Sequence, residues 1–157
     1  MIEFKQVTKC YGSAAPALKE IDLKISQGEL VFIQGHSGAG KSTLLKLIAL
    51  IEPVTSGQLF MGEQDMTHLS TQAIPYFRRK MGLIFQNPML LHSHTIYENV
   101  AMPLVISGFT PQDTKRRVQA ALSRVGLAHK AQELPKNLSG GEQQRVRIAR
   151  AIIHRPK

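Results

Sequence analysis

Gly35-His36-Ser37-Gly38-Ala39-Gly40-Lys41-Ser42-Thr43 is a glycine-rich stretch of the pattern G-x-x-x-x-G-K-S. It follows an apolar run and precedes a segment with helical spacing, which is the setting this pattern needs in order to bind phosphate. Glycines let the backbone turn tightly and direct N–H groups at phosphate oxygens. The start of the following helix adds a partial positive charge. Residues 35–43, called the phosphate loop below, are therefore predicted to hold the phosphates of a nucleotide.

The side chains of the phosphate loop have different predicted roles in binding ATP and Mg²⁺. Lys41 is predicted to place its charge on the β- and γ-phosphates and to serve catalysis. Ser42 offers a hydroxyl to Mg²⁺, and Thr43 can bond a phosphate oxygen. The backbone supplies the remaining contacts, and those of His36 and Ala39 are expected to be backbone contacts alone. The residues predicted to contact the nucleotide here are Gly35, His36, Ser37, Gly38, Ala39, Gly40, Lys41, Ser42 and Thr43.

Hydrophobic patterning around the phosphate loop predicts an α/β fold. Residues 30–33 are continuously apolar, as expected of a strand covered on both faces, and so are residues 81–85. Shorter strand patterns lie earlier and between them, and a loop with Pro88 and His92 follows Gln86. Strands are predicted near residues 2–7, 21–25 and 59–61, and helices over 41–51, 70–80, 111–126 and 142–153. This order favours an antiparallel N-terminal piece joined to a helical lobe.

Composition limits the classes of protein to consider. The chain has 157 residues, a net charge of +9 and 43% hydrophobic residues, enough for one packed domain. Its single cysteine, Cys10, excludes an internal disulfide and fits a reducing compartment. No apolar stretch approaches the roughly 20 residues of a membrane span, so a soluble or peripheral protein is expected. The cations are dispersed over predicted helices without a nucleic-acid-binding motif, which argues against specific nucleic-acid binding.

A second glycine-rich segment, residues 138–145, begins the last predicted helix. We call it the signature segment, and its sequence is Leu138-Ser139-Gly140-Gly141-Glu142-Gln143-Gln144-Arg145. Ser139 is a hydroxyl donor, and Gly140 and Gly141 expose backbone N–H groups at the mouth of a helix. The segment is therefore a second candidate site for an anion. The alternative is an ordinary capped helix behind a glycine-rich loop.

The signature segment resembles that of ATP-binding cassette (ABC) ATPases, and the phosphate loop agrees with it. Tyr11 matches the aromatic residue that stacks on adenine in the family, although an ordinary aromatic side chain is the alternative. Gln86 matches the glutamine that touches Mg²⁺ and the attacking water, which gives it a catalytic and a metal-binding role. Pro156 stands where the family has a proline after the signature helix. Within the family, the strings at 35–48, 78–86 and 97–104 are most similar to a cell-division ATPase.

The resemblance carries further expectations about assembly. It implies a P-loop fold with an antiparallel β-subdomain and a helical signature subdomain, covering 1–157 as one incomplete domain. The expected subregions are 1–86, 87–140 and 141–157. It also implies a head-to-tail homodimer in which Ser139, Gly140 and Gly141 of one copy cap the ATP held by the other. The expected partner is a polytopic membrane protein, and the expected location is the cytoplasmic face of the inner membrane at the division septum.

One family feature is missing from the sequence. Members have an apolar strand that ends in Asp, followed by a catalytic Glu, and no apolar run here ends in Asp-Glu. We therefore expect a segment of a longer ATPase that hydrolyses ATP negligibly by itself. Three alternatives remain open at this stage. They are the ATPase of an exporter or lipoprotein-release system, a nucleotide-binding module without turnover, and, more remotely, a nucleic-acid-associated ABC ATPase.

Overall fold

Four antiparallel strands organise the first part of the chain. The computed structural model describes residues 1–85 and 90–156, which separate into two units, Met1–Arg78 and Arg79–Lys157. The first unit holds a sheet with the strand order β2-β1-β3-β4. The strands are β1 (Ile2–Lys9), β2 (Leu18–Ile25), β3 (Ser56–Met61) and β4 (Gln64–Asp65). The predicted antiparallel β-subdomain is thus confirmed.

Strand β1 lies between β2 and β3 and supplies the centre of this sheet. Phe4 pairs with Leu23 on one side and with Leu59 on the other. Phe4 and Val7 are almost completely buried, so β1 contributes two large apolar side chains to a core. The pairing shifts at a bulge beside Gln6, whose φ of 51° is left-handed. A β-carbon on Gly57 would lie 2.2 Å from the Gln6 carbonyl oxygen, so this bulge requires glycine.

Two helices complete the first unit. Helix α1 (Lys41–Ile48) begins directly after the phosphate loop and buries Leu44 and Leu47. Helix α2 (Ile74–Arg78) is shorter than the predicted span of 70–80. Its Arg78 guanidinium donates to the carbonyl oxygens of Ala49 (3.2 Å) and Leu50 (2.6 Å), which follow the last turn of α1. These bonds satisfy carbonyl groups that a helix leaves unpaired at its end.

Three longer helices make the second unit and confirm the helical lobe. They are α3 (Ile96–Ile106), α4 (Pro111–Arg124) and α5 (Gly140–Ile152). Single 3-10 turns lie at Ala128–Lys130 and Pro135–Asn137. The predicted start of α4 is confirmed, because the Thr110 hydroxyl accepts from the Asp113 N–H (3.2 Å). The buried core draws on all three helices and includes Ile96, Val100, Leu104, Val118, Leu122, Leu127 and Val146.

Helix α3 occupies part of a region where a loop was expected. Its first turn carries a capping box, in which the Thr95 hydroxyl accepts from the Glu98 N–H and the Glu98 carboxylate accepts from the Thr95 N–H. Thr95 and Glu98, three residues apart before an apolar run, are the signal that could have predicted α3. Pro103, inside the helix, is the residue that made the apolar run look broken.

The prediction that two apolar runs form buried strands is wrong. Residues 30–33 form no strand, and Leu30 and Phe32 are 80% and 78% exposed. Residues 81–85 likewise have no strand assignment, and Ile84 and Phe85 are partly exposed. A strand is defined by its hydrogen bonds to a neighbour, and none of the four described strands pairs with either run. An apolar run indicates that a segment could form a strand. The strand forms only where a neighbouring strand supplies the hydrogen bonds.

Candidate nucleotide-binding site

The phosphate loop is a tight turn that depends on glycine. Gly35, Gly38 and Gly40 have φ angles of 153°, 83° and 84°, values that side chains rarely adopt. The Ala39 N–H donates to the His36 carbonyl (3.2 Å) and closes the turn. The Lys41 ammonium folds back over it and donates to the carbonyl oxygens of Gly35 (2.8 Å) and His36 (2.7 Å). Lys41 is therefore held over the loop as a localised positive charge.

The start of α1 is open to an anion. Its first helical hydrogen bond runs from the Leu44 N–H to the Gly40 carbonyl (2.9 Å), so the N–H groups of residues 41–43 precede the helical pattern. Gly40 is the N-cap and makes no side-chain cap, and no acidic residue lies in the first turn. Amides that precede the helical bonds, a helix dipole and the Lys41 ammonium therefore converge at a helix start whose first turn has no carboxylate.

Gly40 also joins the phosphate loop to the loop between β1 and β2. A β-carbon on Gly40 would come within 2.5 Å of the Ala17 carbonyl oxygen and 2.7 Å of Leu18. The Ala17 N–H donates to the Lys9 carbonyl (2.8 Å) and closes the loop of residues 10–16, which carries Tyr11. The structure therefore brings Tyr11 to the same side of the first unit as the phosphate loop.

Tyr11 lies in a cluster of charged side chains. The ammonium groups of Lys9 and Lys46 stand 5.1 Å and 6.0 Å from the centroid of its ring. Glu52 joins both cations, at 3.5 Å from Lys9 and 3.0 Å from Lys46. Lys46 is on α1, so this cluster ties the Tyr11 ring to the helix that follows the phosphate loop. Tyr11 is 43% exposed as a residue, so part of its surface is accessible for stacking.

Titration of the cluster follows from its contacts. The neighbouring Tyr11 hydroxyl, and after it the hydrogen bond and charge of Lys46, lower the pKa of the Glu52 carboxyl. The hydrogen bond to Glu52 and its charge raise the pKa of Lys46. Both groups are thus charged at neutral pH. Lys9, Lys46 and Glu52 are functional candidates that the sequence pattern did not indicate, because the cluster depends on Lys9 meeting Glu52 from 43 positions away in the chain.

The phosphate loop fits the needs of a magnesium–triphosphate complex only in part. Ser42 is exposed in the first turn of α1, where its hydroxyl could reach Mg²⁺ beside a bound phosphate. Mg²⁺ takes most of its remaining ligands from water and phosphate, so a single hydroxyl is compatible with it. Over residues 1–85 and 90–156, no group of three or more His, Cys, Asp or Glu is arranged to hold a metal ion. Gln86, the other predicted metal ligand, lies outside the described residues.

The signature segment forms the capped start of α5. The Ser139 hydroxyl accepts from the Glu142 N–H (3.3 Å), and the Glu142 carboxylate accepts from the Ser139 N–H (2.8 Å) and hydroxyl (2.9 Å). The first helical bond runs from Gln143 to the Ser139 carbonyl (2.9 Å). The Gly140 and Gly141 N–H groups come before it, and both residues are exposed. Two amides at this helix mouth can therefore receive an anion.

Helix α3 has the same capping box but a different environment. The Thr95 and Glu98 contacts repeat those of Ser139 and Glu142. The next two amides, however, are occupied: Ile96 donates to the Glu133 carbonyl (2.9 Å), and Tyr97 donates to the Ala131 carbonyl (2.8 Å). The capping box is thus shared, whereas among the described residues no backbone carbonyl occupies the Gly140 and Gly141 amides of the signature segment.

Comparison with known protein families identifies this arrangement. The model of the family described as "ABC transporter" matches residues 18–157, which include both the phosphate loop and the signature segment. The chain belongs to the ABC transporter family. It is accordingly an ATP-binding domain of the ABC type, as the two segments predicted.

Among curated ABC proteins, the chain is similar to cell-division ATP-binding proteins. It is 49% identical to FtsE of Haemophilus influenzae over 158 residues, covering 100% of this chain and 72% of that protein. It is also 49% identical to FtsE of Escherichia coli K12, of which it covers 70%. Methionine import protein MetN of Chromohalobacter salexigens is 44% identical, and the chain covers 46% of it.

Solved ABC cassettes share the fold. A dimeric structure of the bacterial ABC transporter cassette MJ0796 has a TM-score of 0.92 at 36% identity, covering 99% of this chain and 71% of that one. A second MJ0796 dimer, in a post-hydrolysis state with ADP and Pi, gives the same TM-score at 35% identity. The predicted α/β ABC fold is thereby confirmed. None of the helices in the described residues is both long and apolar enough to cross a membrane.

Proposed function

We propose that this chain binds ATP and Mg²⁺ as one of two copies that close head-to-tail around two ATP molecules. The observation that carries the proposal is the pair of open helix mouths, one at α1 beside Lys41 and one at α5 beside Ser139. In each of them, amides that precede the first helical bond are available to phosphate oxygens. The dimeric MJ0796 cassettes support the assembly, since one of them was solved with ADP and Pi.

In this proposal the phosphate loop provides the ground-state contacts. The amides of residues 35–43 and the Lys41 ammonium hold the phosphates, while Ser42 contributes to the Mg²⁺ ligands. Tyr11 stacks on adenine, and the ion pair of Lys46 and Glu52 beside the ring fixes its position. Ser139, Gly140 and Gly141 of the second copy complete the site around the γ-phosphate. Gln86 is proposed to orient the attacking water.

Hydrolysis is proposed to need carboxylates that these residues do not supply. Neither the first turn of α1 nor the phosphate loop contains an acidic residue, so the attacking water has no general base there. A comparison of ATPase rates tests this, using the 157-residue chain and a version extended with the C-terminal part of the Escherichia coli relative. We expect turnover only in the extended protein, and equal rates in both would contradict the proposal.

The biological role proposed is cell division. Relatives named for cell division are 46–49% identical over 99–100% of the chain, compared with 44% and 46% for two methionine import proteins. Transport by an import or export complex is the second candidate, which the import relatives support. Under the first proposal the protein is peripheral on the cytoplasmic face of the inner membrane at the septum. Deletion of its gene should then lengthen cells without reducing solute uptake.

A polytopic, FtsX-like membrane protein is the partner proposed for this role. An exposed apolar groove of about 430 Å³ on the second unit supports such a partner, and it is lined by residues of α3 and the start of α4. Val105, at its edge, is 63% exposed. A short apolar segment of the partner is the proposed occupant, because a contiguous exposed apolar surface marks a site where another protein binds. Val105→Lys should abolish co-purification of the membrane protein, whereas Lys115→Glu on the polar face of α4 should not.

The central test of the proposed function uses three variants of this chain. Lys41→Ala should weaken ATP binding at least about a hundredfold, and Lys24→Ala on β2 is the charge-matched control. Ser139→Arg should bind ATP normally in the monomer and fail to dimerise in ATP. Calorimetry measures the first property and sedimentation the second. If Ser139→Arg dimerises with ATP like the unmodified chain, the assignment of the signature segment is wrong.

A further inference from the structure

Glu142 is an unusual neighbour for a site that receives a polyanion. Its carboxylate accepts from the Ser139 N–H (2.8 Å) and from the Ser139 hydroxyl (2.9 Å). This places a negative charge beside the amides proposed to bind the γ-phosphate. Like charges repel most strongly where solvent screening is weak. Glu142 therefore needs a counter-charge if the signature segment is to take ATP.

Lys130 supplies this counter-charge from outside the signature segment. Its ammonium lies 2.6 Å from the second carboxylate oxygen, Oε1, of Glu142. The Glu142 side chain is 17% exposed and that of Lys130 is 30% exposed, so water screens the pair only partly. The hydrogen bond from Lys130, followed by those from Ser139, lowers the pKa of Glu142 to about 2. The carboxylate is thus ionised, and one of its oxygens is committed to Lys130.

The backbone around Lys130 is fixed to the rest of the helical unit. The Lys130 N–H donates to the carbonyl of Leu127 (3.0 Å), a residue that is 1% exposed. The Lys130 carbonyl accepts from the Glu133 N–H (2.9 Å), and Ala131 and Glu133 in turn accept from the first turn of α3. An ammonium on this support has a defined position, which a lysine on a free loop lacks.

A second brace limits the movement of the signature segment. The Gln143 side-chain amide donates to the carbonyl oxygens of Pro135 (3.0 Å) and Leu138 (3.2 Å). This fixes the backbone that precedes the cap, while Lys130 holds the Glu142 carboxylate. The hydroxyl of Ser139 is then the part of the cap that can turn. It can redirect its proton from Glu142 to a phosphate oxygen while the Ser139 N–H keeps its bond to the carboxylate.

We propose that Lys130 is a positioning residue for ATP at the signature segment. It compensates the charge of Glu142 and holds one of its carboxylate oxygens, so that the Ser139 hydroxyl and the Gly140 and Gly141 amides can face the phosphate of the opposite copy. The inference rests on the proposed function of Ser139. It adds a residue that acts through Glu142 and does not touch the nucleotide.

The test measures ATP-dependent dimerisation of this chain by sedimentation, together with ATP binding and thermal unfolding. Lys130→Met should weaken the dimer at least about tenfold and leave ATP binding to the monomer unchanged. Lys130→Arg should restore dimerisation to within about twofold, because it keeps the charge. The double variant Lys130→Met with Glu142→Gln should recover most of the loss, because it removes the uncompensated anion. Lys136→Met is the control, since this exposed lysine is also close to the signature segment in sequence.

Each outcome separates the role of Lys130 from that of Ser139. If Ser139→Arg blocks dimerisation but Lys130→Met dimerises normally, the inference about Lys130 fails and the proposed function stands. If the double variant is no better than Lys130→Met, or if Lys136→Met is equally weak, electrostatic positioning is refuted. If the unmodified chain does not dimerise with ATP, or Ser139→Arg does so normally, the proposed function itself fails together with this inference.

Discussion

Gly40 and Ala17 touch so closely that a β-carbon on Gly40 would lie 2.5 Å from the Ala17 carbonyl oxygen. The contact joins the phosphate loop to the loop that carries Tyr11. Gly40 also has a φ of 84°, which strains any other residue. Shape and backbone conformation therefore both require glycine at this position.

Gly40→Ala should consequently lower the free energy of unfolding by more than about 2 kcal/mol and weaken ATP binding. Gly28→Ala is the matched control, because Gly28 has a similar φ of 79° but open space around its missing β-carbon. We expect the control to lose about 1–2 kcal/mol and to keep its ATP affinity. Denaturant unfolding and calorimetry measure the two properties, and equal losses in both variants would mean that the Ala17 contact is unimportant.

Tyr11→Leu should weaken ATP binding by up to about tenfold, because an aromatic stacking contact contributes roughly 0.5–1.5 kcal/mol. Binding of inorganic triphosphate should not change, since it has no base to stack. Tyr11→Phe should behave like the unmodified protein toward ATP, because the ring is kept. The three affinities are measured by calorimetry. A parallel loss for ATP and triphosphate in Tyr11→Leu would show that Tyr11 supports the phosphate loop and not the base.

Glu142 should make the stability of the protein depend on pH in the acid range. Its pKa in the folded protein is about 2, compared with an ordinary value of 4.5. Above pH 4.5 the stabilising effect of the ionised carboxylate is fully present, and it is lost as the pH falls toward 2, because the unfolded chain takes up the proton first. Unfolding curves for Glu142→Gln should therefore depend less on pH between 5 and 2 than those of the unmodified protein. Glu63→Gln, in an exposed turn, should keep the original dependence.

Asn99 should be one of the polar residues on which the helical unit depends most. It is fully buried, its side-chain amide donates to the carbonyls of Leu91, His94 and Thr95, and its oxygen accepts from the Leu91 N–H. Asn99→Ala leaves these groups unpaired and should lower the unfolding free energy by about 2–4 kcal/mol. Asn137→Ala, an exposed counterpart, should change it by less than about 0.5 kcal/mol. A similar loss in both would contradict the role given to Asn99.

The sequence predicted those features that depend on local chemistry. The glycines of the phosphate loop, the Thr110 cap of α4 and the Ser139 start of α5 are each specified by residues within a few positions of one another. The antiparallel strands followed for the same reason, since alternation along β2 is a local pattern. Helix α3 was not predicted, although the capping-box pattern of Thr95 and Glu98 indicates a helix start. The reason is that Pro103 interrupts the apolar run that follows.

Features that depend on distant residues could not be predicted in this way. The strands expected at residues 30–33 and 81–85 need ladder partners, and an apolar run does not name its partner. The Lys9–Glu52 pair joins residues 43 positions apart, and Lys130 reaches Glu142 across the second 3-10 turn. These ion pairs form because the tertiary fold brings distant backbone segments together. They can be predicted only once the tertiary contacts are known.

The contrast between α3 and α5 has a consequence for how such helices are recognised. Both begin with the same capping box. In α3, however, the carbonyls of Ala131 and Glu133 accept the first-turn N–H groups, which are then not available to an anion. A sulfate or phosphate ion offered to this protein should therefore discriminate between two helix starts that a motif search scores alike. The helix start at Thr95 can therefore serve as an internal control for the one at Ser139. Hydrogen-bonding partners more than thirty residues downstream determine whether a capped helix start can also bind an anion.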